Sequence, residues 1–232
     1  MLNFNDFLDN QEAINEGVYD KNIFKAFFLA GGPGSGKSWV SARTLMGQGM
    51  KVINSDDGFE RYAKKAGLNL KKMGSFTAAQ TKKKDALRSR AKVGTAYMHQ
   101  HAIDGRLGMI LDSTARDTAR IESEAQSMRY LGYDTYMVFV NTTLEVALKR
   151  NELRPRSVPE PIVINSHRQI QKNIPKLRAI FGSKNFVEVD NSVEAEDVNI
   201  KVYKEIQKLV RSKPSSPMAQ AWINNELAKK RR

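Results

Sequence analysis

The 232-residue sequence contains no cysteine, which excludes disulfide bonds and zinc sites with cysteine ligands. No apolar run approaches the roughly 18 residues that a membrane-spanning helix requires. The first 20 residues include acidic side chains but no lysine or arginine, which is unlike the basic start of a secretory signal peptide. These absences predict a protein of a reducing compartment, and we expect a cytoplasmic location with no membrane partner.

Acidic residues are few relative to basic ones. The 38 lysines and arginines exceed the 25 aspartates and glutamates, giving a net charge of +13 at pH 7. Such an excess favours contact with polyanions such as nucleic acid, nucleotides or a phosphorylated partner. Between residues 70 and 92 eight basic residues stand against one acid, Asp85. Both a polyanion contact and an ordinary solvated helix face remain open for this segment.

One stretch has the pattern of a nucleotide-binding loop. Residues 24–30 form a short apolar run typical of a buried strand, and residues 39–46 are typical of a helix. Between them, Gly-Gly-Pro-Gly-Ser-Gly-Lys-Ser at 31–38 matches G-x-x-x-x-G-K-[ST]. Glycines leave no Cβ between backbone and ligand, so N–H groups can converge on phosphate oxygens. We call residues 31–38 the phosphate loop.

The phosphate loop predicts a binding site for ATP and Mg²⁺. Lys37 supplies a positive charge for the β and γ phosphates, and the Ser38 hydroxyl is a ligand for the metal. The residues predicted to bind ATP are Gly32, Pro33, Gly34, Ser35, Gly36, Lys37 and Ser38.

Carboxylates follow two further predicted strands. Asp56 and Asp57 come after the strand 51–54, at the rim where doubly wound sheets bind their ligands. We predict Asp56 as the general base that accepts a proton from the attacking hydroxyl, and Asp57 as a helix cap or a substrate contact. The apolar strand 108–112 ends in Asp112, a Walker-B pattern that predicts a second ligand for Mg²⁺.

Basic and polar residues elsewhere complete the predicted site. Three arginines and two prolines between residues 150 and 159 favour a lid over ATP, because guanidinium groups neutralise charge on the transferring phosphoryl group. Asn191, at the end of the strand 186–190, is predicted to border the adenine pocket. The catalytic lid residues are Arg150, Arg154 and Arg156, and the candidate substrate contacts besides Asp57 are Thr114, Arg116 and Arg88.

The predicted strands are 24–30, 51–54, 108–112, 133–141 and 186–190, and helical segments separate them. This alternation predicts a three-layer α/β/α P-loop NTPase with a five-stranded, mainly parallel sheet. The predicted organisation is an N-terminal arm (1–22), a P-loop kinase domain (23–212) and a basic C-terminal tail (213–232). A helical insertion (70–104) and the arginine lid (150–160) lie within the kinase domain.

These motifs together resemble those of small P-loop kinases over residues 24–192. The sequence is similar to the group that contains phage polynucleotide 5′-kinases and zeta-toxin-type kinases, in particular phage-encoded zeta-toxin-like proteins. Both branches share Gly-x-Pro-Gly-Ser-Gly-Lys-Ser, found here at 31–38. Residues 54–57, Asn-Ser-Asp-Asp, are similar to the Asn-Arg-Asp-Asp of polynucleotide kinases, which implies that Asp56 is the base. Residues 149–151 with Arg154 and residues 158–159 are similar to their lid.

Other residues distinguish the sequence from one branch or the other. Residues 112–114, Asp-Ser-Thr, are similar to the Asp-Gly-Thr of zeta-type enzymes. Residues 58–60, Gly-Phe-Glu, depart from polynucleotide kinases, which carry an arginine for the substrate's phosphate shortly after the acid pair.

The resemblance implies an ATP- and Mg²⁺-dependent phosphotransferase with an alcohol group as acceptor, located in the host cytoplasm if phage-encoded. A nucleic-acid or nucleotide-like acceptor is the first hypothesis, as for polynucleotide kinases. A zeta-type kinase acting on a nucleotide sugar is the alternative within the same class. A P-loop protein that binds nucleic acid and uses ATP as a switch is the alternative outside it. The sequence leaves the acceptor and the oligomeric state open.

Overall fold

The computed structural model describes residues 18–45, 48–154, 158–193 and 196–230. Most of the predicted N-terminal arm, the end of the predicted helix 39–46, and Arg156 of the predicted lid lie outside these ranges. Among the helices that are described, none is long and apolar enough to cross a membrane.

A single sheet organises the described part of the chain. Its strand order is β2-β3-β1-β4-β5, and every pairing is parallel, which confirms the predicted five-stranded sheet. In the central strand, Phe27 lies in register with Ile110 on one side and Tyr136 on the other. The strands are β1 (Lys25–Ala30), β2 (Lys51–Ile53), β3 (Met109–Asp112), β4 (Asp134–Asn141) and β5 (Phe186–Asp190).

Eight α-helices are described. They are α1 (Lys37–Thr44), α2 (Ser55–Lys65), α3 (Ala78–Asp104), α4 (Thr118–Tyr130), α5 (Leu144–Glu152), α6 (Glu160–Phe181), α7 (Glu196–Arg211) and α8 (Pro217–Lys230). Short 3₁₀ helices span Leu70–Ser75 and Ser183–Asn185. The first helix starts two residues earlier than its pattern predicted, because Lys37 already adopts helical geometry after the last loop glycine.

Alternate side chains of the strands point to opposite faces of the sheet, as strand geometry requires. Phe28 of β1 packs in a core with residues of α3, α4, α6 and α8, whereas its neighbour Phe27 packs with residues of α1 and α7. Both rings are completely buried. Helices therefore cover both faces, and the predicted three-layer α/β/α arrangement is confirmed.

The parallel sheet places the carboxyl ends of all five strands at one edge. The phosphate loop follows β1 there, and the segments that begin at Asn54, Ser113 and Asn191 leave the same edge after β2, β3 and β5. At the opposite edge, the Trp222 ring of α8 packs edge-on against Phe24 with 5.6 Å between the ring centroids. The fold therefore gathers the predicted site residues at one edge and attaches the C-terminal helix at the other.

Candidate active site

The phosphate loop takes its shape from two glycines at positions where a residue with a side chain would not fit. Gly34 and Gly36 have φ angles of 79° and 85°, in the left-handed region that favours glycine. A Cβ atom on Gly34 would collide with the carbonyl oxygen of Ala147, and one on Gly36 would collide with the side-chain nitrogen of Asn191. Glycine at these positions therefore lets α5 and the end of β5 approach the loop backbone.

Lys37 begins α1 and folds back over the loop. Its Nζ atom donates to the backbone oxygen of Gly31 over 2.9 Å. Burial lowers the pKa of Lys37, the carboxylates of Asp112 and Asp56 raise it, and the positive charge of Arg154 lowers it again. The ammonium group therefore lies within electrostatic reach of the predicted base Asp56, of the predicted metal ligand Asp112 and of Arg154 on the lid.

Asn54 connects the acids that follow β2 and β3. Its Nδ2 atom donates to Oδ2 of Asp112 over 3.0 Å and to Oδ1 of Asp57 over 3.4 Å. Its Oδ1 atom accepts from the backbone nitrogen of Asp56 over 2.8 Å and caps α2. The predicted cap role of Asp57 is therefore wrong, because that residue lies inside the first turn, where its charge favours the helix dipole.

Negative charge is concentrated around this asparagine. Removal from water raises the pKa of Asp112; Lys37 opposes the shift, and the charges of Asp57 and Asp56 add to it. Desolvation likewise raises the pKa of Asp57, with a further increase from Asp56 and a decrease from Arg61. Such a cluster favours a cation that would neutralise it.

The residues present fit a magnesium ion that is held partly by phosphate. The predicted ligands, the Ser38 hydroxyl and the Asp112 carboxylate, are oxygen donors of the kind that Mg²⁺ prefers. Within the described ranges, no group of three or more histidine, aspartate or glutamate side chains forms a metal cage by itself. Mg²⁺ in nucleotide sites usually has one or two protein ligands and takes its others from phosphates and water.

Asn191 contacts the phosphate loop from the side of β5. Its side-chain Nδ2 atom donates to the backbone oxygen of Ser35 over 2.8 Å, and its backbone oxygen accepts from Nη1 of Arg150 over 2.7 Å. The residue is only 5% exposed. Its amide therefore positions the loop, and the contact with adenine stays a prediction. Arg154 is exposed, and its charge acts on Lys37.

Asn151, which had no predicted role of its own, closes the base of the lid. Asn151 donates from Nδ2 to the backbone oxygen of Val158 over 2.7 Å and accepts at Oδ1 from the nitrogen of the same residue over 3.0 Å. Asn151 is buried. This pair of bonds fastens the two ends of the predicted lid, and no local pattern signals it, whereas Asn54 carried the helix-cap signal of an asparagine before an acid pair.

The candidate substrate residues differ in their surroundings. The Arg116 side chain donates from Nε to Oε1 of Gln169 over 3.3 Å, and its carbonyl oxygen accepts from Asn173 over 2.9 Å, so α6 holds this loop. Thr114 is exposed on the same loop. Arg88 reaches the site from α3 and forms an ion pair with Asp56, with 3.2 Å between Nη2 and Oδ1.

A cavity of about 650 Å³ lies between the insertion and the base of the lid. Its walls are Leu70, Met73, Gly74, Asn151, Glu152, Val158, Pro159 and Glu160. The volume falls in the usual range for small-molecule sites, roughly 300–1,000 Å³. The cleft between these two segments therefore has room for a second substrate.

The chain matches one protein family over most of its length. The family model described as Zeta toxin matches residues 15–213. No curated protein matches the sequence.

Several solved structures have a similar fold. The native AvrRxo1-ORF1:-ORF2 complex aligns at 14% identity over 95% of this chain and 82% of that chain, with a TM-score of 0.56. The AvrRxo1-ORF1:-ORF2 structure with ATP aligns at 15% identity over 82% and 68%, with a TM-score of 0.51. The PezAT toxin–antitoxin system of the human pathogen Streptococcus pneumoniae aligns at 14% identity over 89% of both chains, with a TM-score of 0.51. At these identities the likeness shows the fold alone.

Proposed function

This chain belongs to the Zeta toxin family, and on this premise we propose that it is an ATP- and Mg²⁺-dependent kinase with an alcohol group as acceptor. One observation carries the proposal: Asn54 joins the carboxylates of Asp112 and Asp57 beside Asp56, within electrostatic reach of Lys37 in the phosphate loop. Phosphoryl transfer needs a phosphate-binding loop, metal ligands and a base at one place.

The phosphate loop binds the triphosphate of ATP. The backbone N–H groups of Gly32 and of residues 34–37 lie before and at the start of α1, where the helix dipole favours negative charge. When ATP binds, we expect the Lys37 ammonium to exchange the Gly31 carbonyl for the β and γ phosphates. The positive charge then acts on the group that is transferred.

Ser38 and Asp112 would hold Mg²⁺ together with the phosphates. The ion neutralises charge on the β and γ phosphates when it is bound. Asn54 fixes the orientation of the Asp112 carboxylate through the 3.0 Å hydrogen bond. This carboxylate would therefore meet the metal in a defined position.

Asp56 acts as the general base for the acceptor hydroxyl. As the hydroxyl oxygen bonds to the γ-phosphorus, its proton passes to the Asp56 carboxylate. The bond between the γ-phosphorus and the β–γ bridging oxygen breaks, and ADP leaves with that electron pair. A positioned base contributes about 10²- to 10⁴-fold to such a step.

Arginines on the lid side stabilise the charge that develops on the phosphoryl group. Arg150 is held near the loop by its 2.7 Å bond to the Asn191 carbonyl, and Arg154 acts electrostatically on Lys37. Guanidinium groups suit this role because they bind phosphate oxygens in a bidentate manner. A lid also excludes water and limits hydrolysis of ATP.

The acceptor is proposed to be nucleic acid or a nucleotide-like compound. The helix α3 carries several basic side chains, and Arg88 among them forms an ion pair with Asp56, the proposed base. A nucleotide sugar is the second candidate, favoured by the cavity of about 650 Å³, whose size suits a small molecule.

The first experiment measures transfer of labelled γ-phosphate from ATP. The acceptors are 5′-hydroxyl oligonucleotides, hydroxymethylated DNA, nucleoside monophosphates and uridine-diphosphate sugars, each with Mg²⁺ and with excess EDTA. Lys37→Ala tests whether the loop is required, and Lys172→Ala, at an exposed position on α6, is the matched control. We expect label in one acceptor class, dependence on Mg²⁺, and loss of transfer in Lys37→Ala only.

The acceptor that is labelled separates the two kinase hypotheses. A polynucleotide acceptor also predicts competition by DNA or RNA with a steep dependence on salt, whereas a nucleotide sugar does not. If ATP binds and none of these acceptors is labelled, the kinase proposal is contradicted for these classes. The hypothesis that ATP acts as a switch for nucleic-acid binding is then the better supported one.

A further inference from the structure

Arg88 is brought to the candidate base by the packing of two helices. The guanidinium Nη2 atom lies 3.2 Å from Oδ1 of Asp56, although the residues are separated by 32 positions. A Cβ atom on Gly58 would lie 3.6 Å from the Cβ atom of Ala91, an ordinary packing distance, so the backbone of α2 lies close to α3 here. The insertion helix thus supplies a cation that contacts the proposed base.

An aromatic ring fixes the orientation of this cation. The Arg88 guanidinium carbon lies 5.1 Å from the centroid of the Phe59 ring, which is itself 1% exposed and therefore held by packing. Contacts of this kind attract the cation to the ring and restrict the plane of the guanidinium group. Arg88 is therefore oriented before any acceptor binds.

A phosphate group can replace Asp56 as the partner of Arg88. The side chains of Arg88 and Asp56 are 40% and 53% exposed, and an exposed ion pair is weak because water screens its charges. A guanidinium group binds phosphate through two parallel hydrogen bonds, which are stronger than a single contact. A phosphate group that enters the cleft would therefore compete successfully for Arg88.

The charges around the reacting atoms require such a partner. The carboxyl groups of Asp56, Asp57 and Asp112 lie together here, and the γ-phosphate of ATP would bring further negative charge. Lys37, Arg150 and Arg154 lie on the side of the phosphate loop and the lid. Arg88 supplies positive charge from the insertion, on the side where an acceptor would enter.

We propose that Arg88 is a specificity-determining residue that binds a phosphate group of the acceptor next to its reactive hydroxyl. In the free protein Arg88 pairs with Asp56 instead. Binding of the acceptor phosphate to Arg88 releases the carboxylate to accept the hydroxyl proton. The inference rests on the proposed kinase function and narrows its acceptors to hydroxyl compounds that carry a phosphate monoester, diester or diphosphate.

The test compares pairs of acceptors in which only one member carries a phosphate group. The pairs are a nucleoside with its 5′-monophosphate, N-acetylglucosamine with its uridine-diphosphate conjugate, and a nucleoside with a 5′-hydroxyl dinucleotide. Transfer from ATP is measured for the wild type, Arg88→Gln, Arg88→Lys and Arg90→Gln. Arg90 is the matched control, because it lies on the same helix and its guanidinium group lies 5.0 Å from the Tyr62 ring.

We expect the wild type to prefer the phosphorylated member of a pair at least tenfold in kcat/KM. Arg88→Gln should raise KM for that member at least tenfold and remove the preference, with KM for ATP changed less than twofold. Arg88→Lys should recover part of the preference, and Arg90→Gln should retain it. The pair that responds distinguishes a nucleotide sugar from a polynucleotide as the source of the phosphate.

Equal use of both members by the wild type, or an unchanged preference in Arg88→Gln, would overturn the inference and leave the kinase proposal intact. If the wild type transfers phosphate to no acceptor, equilibrium binding of the same phosphorylated compounds decides. Binding that Arg88→Gln weakens tenfold supports the role of Arg88 without the kinase reaction, and equal binding by both proteins refutes it. Thermal unfolding of all variants checks that the fold is retained.

Discussion

The side-chain nitrogen of Asn191 donates to the backbone oxygen of Ser35 over 2.8 Å and thereby joins the end of β5 to the phosphate loop. The two residues are separated by 156 positions in the chain. Because the bond is buried, its loss leaves a carbonyl oxygen without its partner, which costs about 1–3 kcal/mol. The shape of the loop therefore depends on a residue far from it in sequence.

Asn191→Ala should weaken ATP binding. We expect the free energy of this hydrogen bond to be lost from ATP binding, because the displaced loop must be restored before ATP can bind. The dissociation constant for ATP should then rise about tenfold, since 1.4 kcal/mol corresponds to a factor of ten. Calorimetric titration with a non-hydrolysable ATP analogue measures this effect. Asn224→Ala, at an exposed position on α8, is the control and should bind ATP normally. Unchanged affinity in Asn191→Ala would remove this residue from loop positioning.

Gly34→Ala should lower both stability and ATP affinity. Alanine at this position would have to adopt the left-handed φ of 79°. Its Cβ atom would also collide with the carbonyl oxygen of Ala147 on α5. Gly67→Ala is a matched control, because its φ of 70° imposes similar strain while no atom lies within 4 Å of the added carbon. We expect the control to lose about 1 kcal/mol in free energy of unfolding and Gly34→Ala to lose more. Urea unfolding measures both changes. Equal losses in free energy of unfolding would show that α5 moves and relieves the collision.

Asp56→Asn should lower kcat by about 10²- to 10⁴-fold and leave ATP binding nearly intact, because it removes the proposed base while keeping the side-chain shape. Asp57→Asn is the comparison, since Asp57 lies one position further in the same helical turn. The kcat of Asp57→Asn should fall far less than that of Asp56→Asn. Rapid-quench measurement of the transfer step distinguishes the two variants. A near-normal rate in Asp56→Asn would exclude it as the base.

Asp57→Asn should also change the dependence of stability on pH. The pKa of Asp57 is raised above 3.8 in the folded state by desolvation and by the charge of Asp56. The folded protein therefore holds this proton more tightly than the unfolded chain, and folding becomes less favourable as pH rises from 3.8 through the raised pKa. Above that interval ionisation of Asp57 lowers the stability of the fold, because desolvation and the charge of Asp56 outweigh the favourable helix dipole.

The variant should accordingly unfold at a higher temperature than the wild type at pH 7.5, and the difference should shrink as pH falls toward 4. Scanning calorimetry at several pH values measures this. Asp85→Asn, at an exposed position on α3, serves as the control. A difference that grows as pH falls would contradict the direction of the shift.

Lys25→Met should destabilise the fold without touching the site. Lys25 is completely buried and forms an ion pair of 2.7 Å with Asp134, and its Nζ atom also donates to Ser212 over 2.9 Å. Removing one partner of a buried pair leaves the other charge uncompensated, which costs about 3–5 kcal/mol. Burial also lowers the pKa of Lys25, with Asp134 opposing the shift.

The control for this variant is Lys176→Met, because the pair between Lys176 and Glu122 is about half exposed and its atoms are 3.8 Å apart. We expect a change below about 1 kcal/mol there. Denaturant unfolding gives both values. If Lys25→Met is no less stable than Lys176→Met, packing rather than charge pairing dominates at that end of the sheet.

Several features of the fold could be read from the sequence. The predicted strands lie within one residue of the observed bounds, because each is a short apolar run whose alternate residues pack in the two cores. The phosphate loop was identified because its glycines, lysine and serine are consecutive in the chain. The order of strands and helices then indicated a parallel sheet, since parallel neighbours need crossover connections.

Local patterns were insufficient where the partner of a residue lies far away in the chain. Asn54 caps α2 through a bond to a residue two positions away, but its bond to Asp112, 58 positions later, has no signal in the local sequence. The closure of the lid base by Asn151 and Val158 has no sequence signal that would separate it from an ordinary loop.

The sequence by itself determined the fold class, the nucleotide loop and which strand ends carry acids, because these depend on composition and spacing within short segments. The tertiary structure decided that Arg88 meets Asp56 and that Asn191 positions Ser35. Both contacts depend on how the insertion helix and the last strand pack against the rest of the sheet. That packing is the sum of many weak interactions between distant residues, and no short segment encodes it.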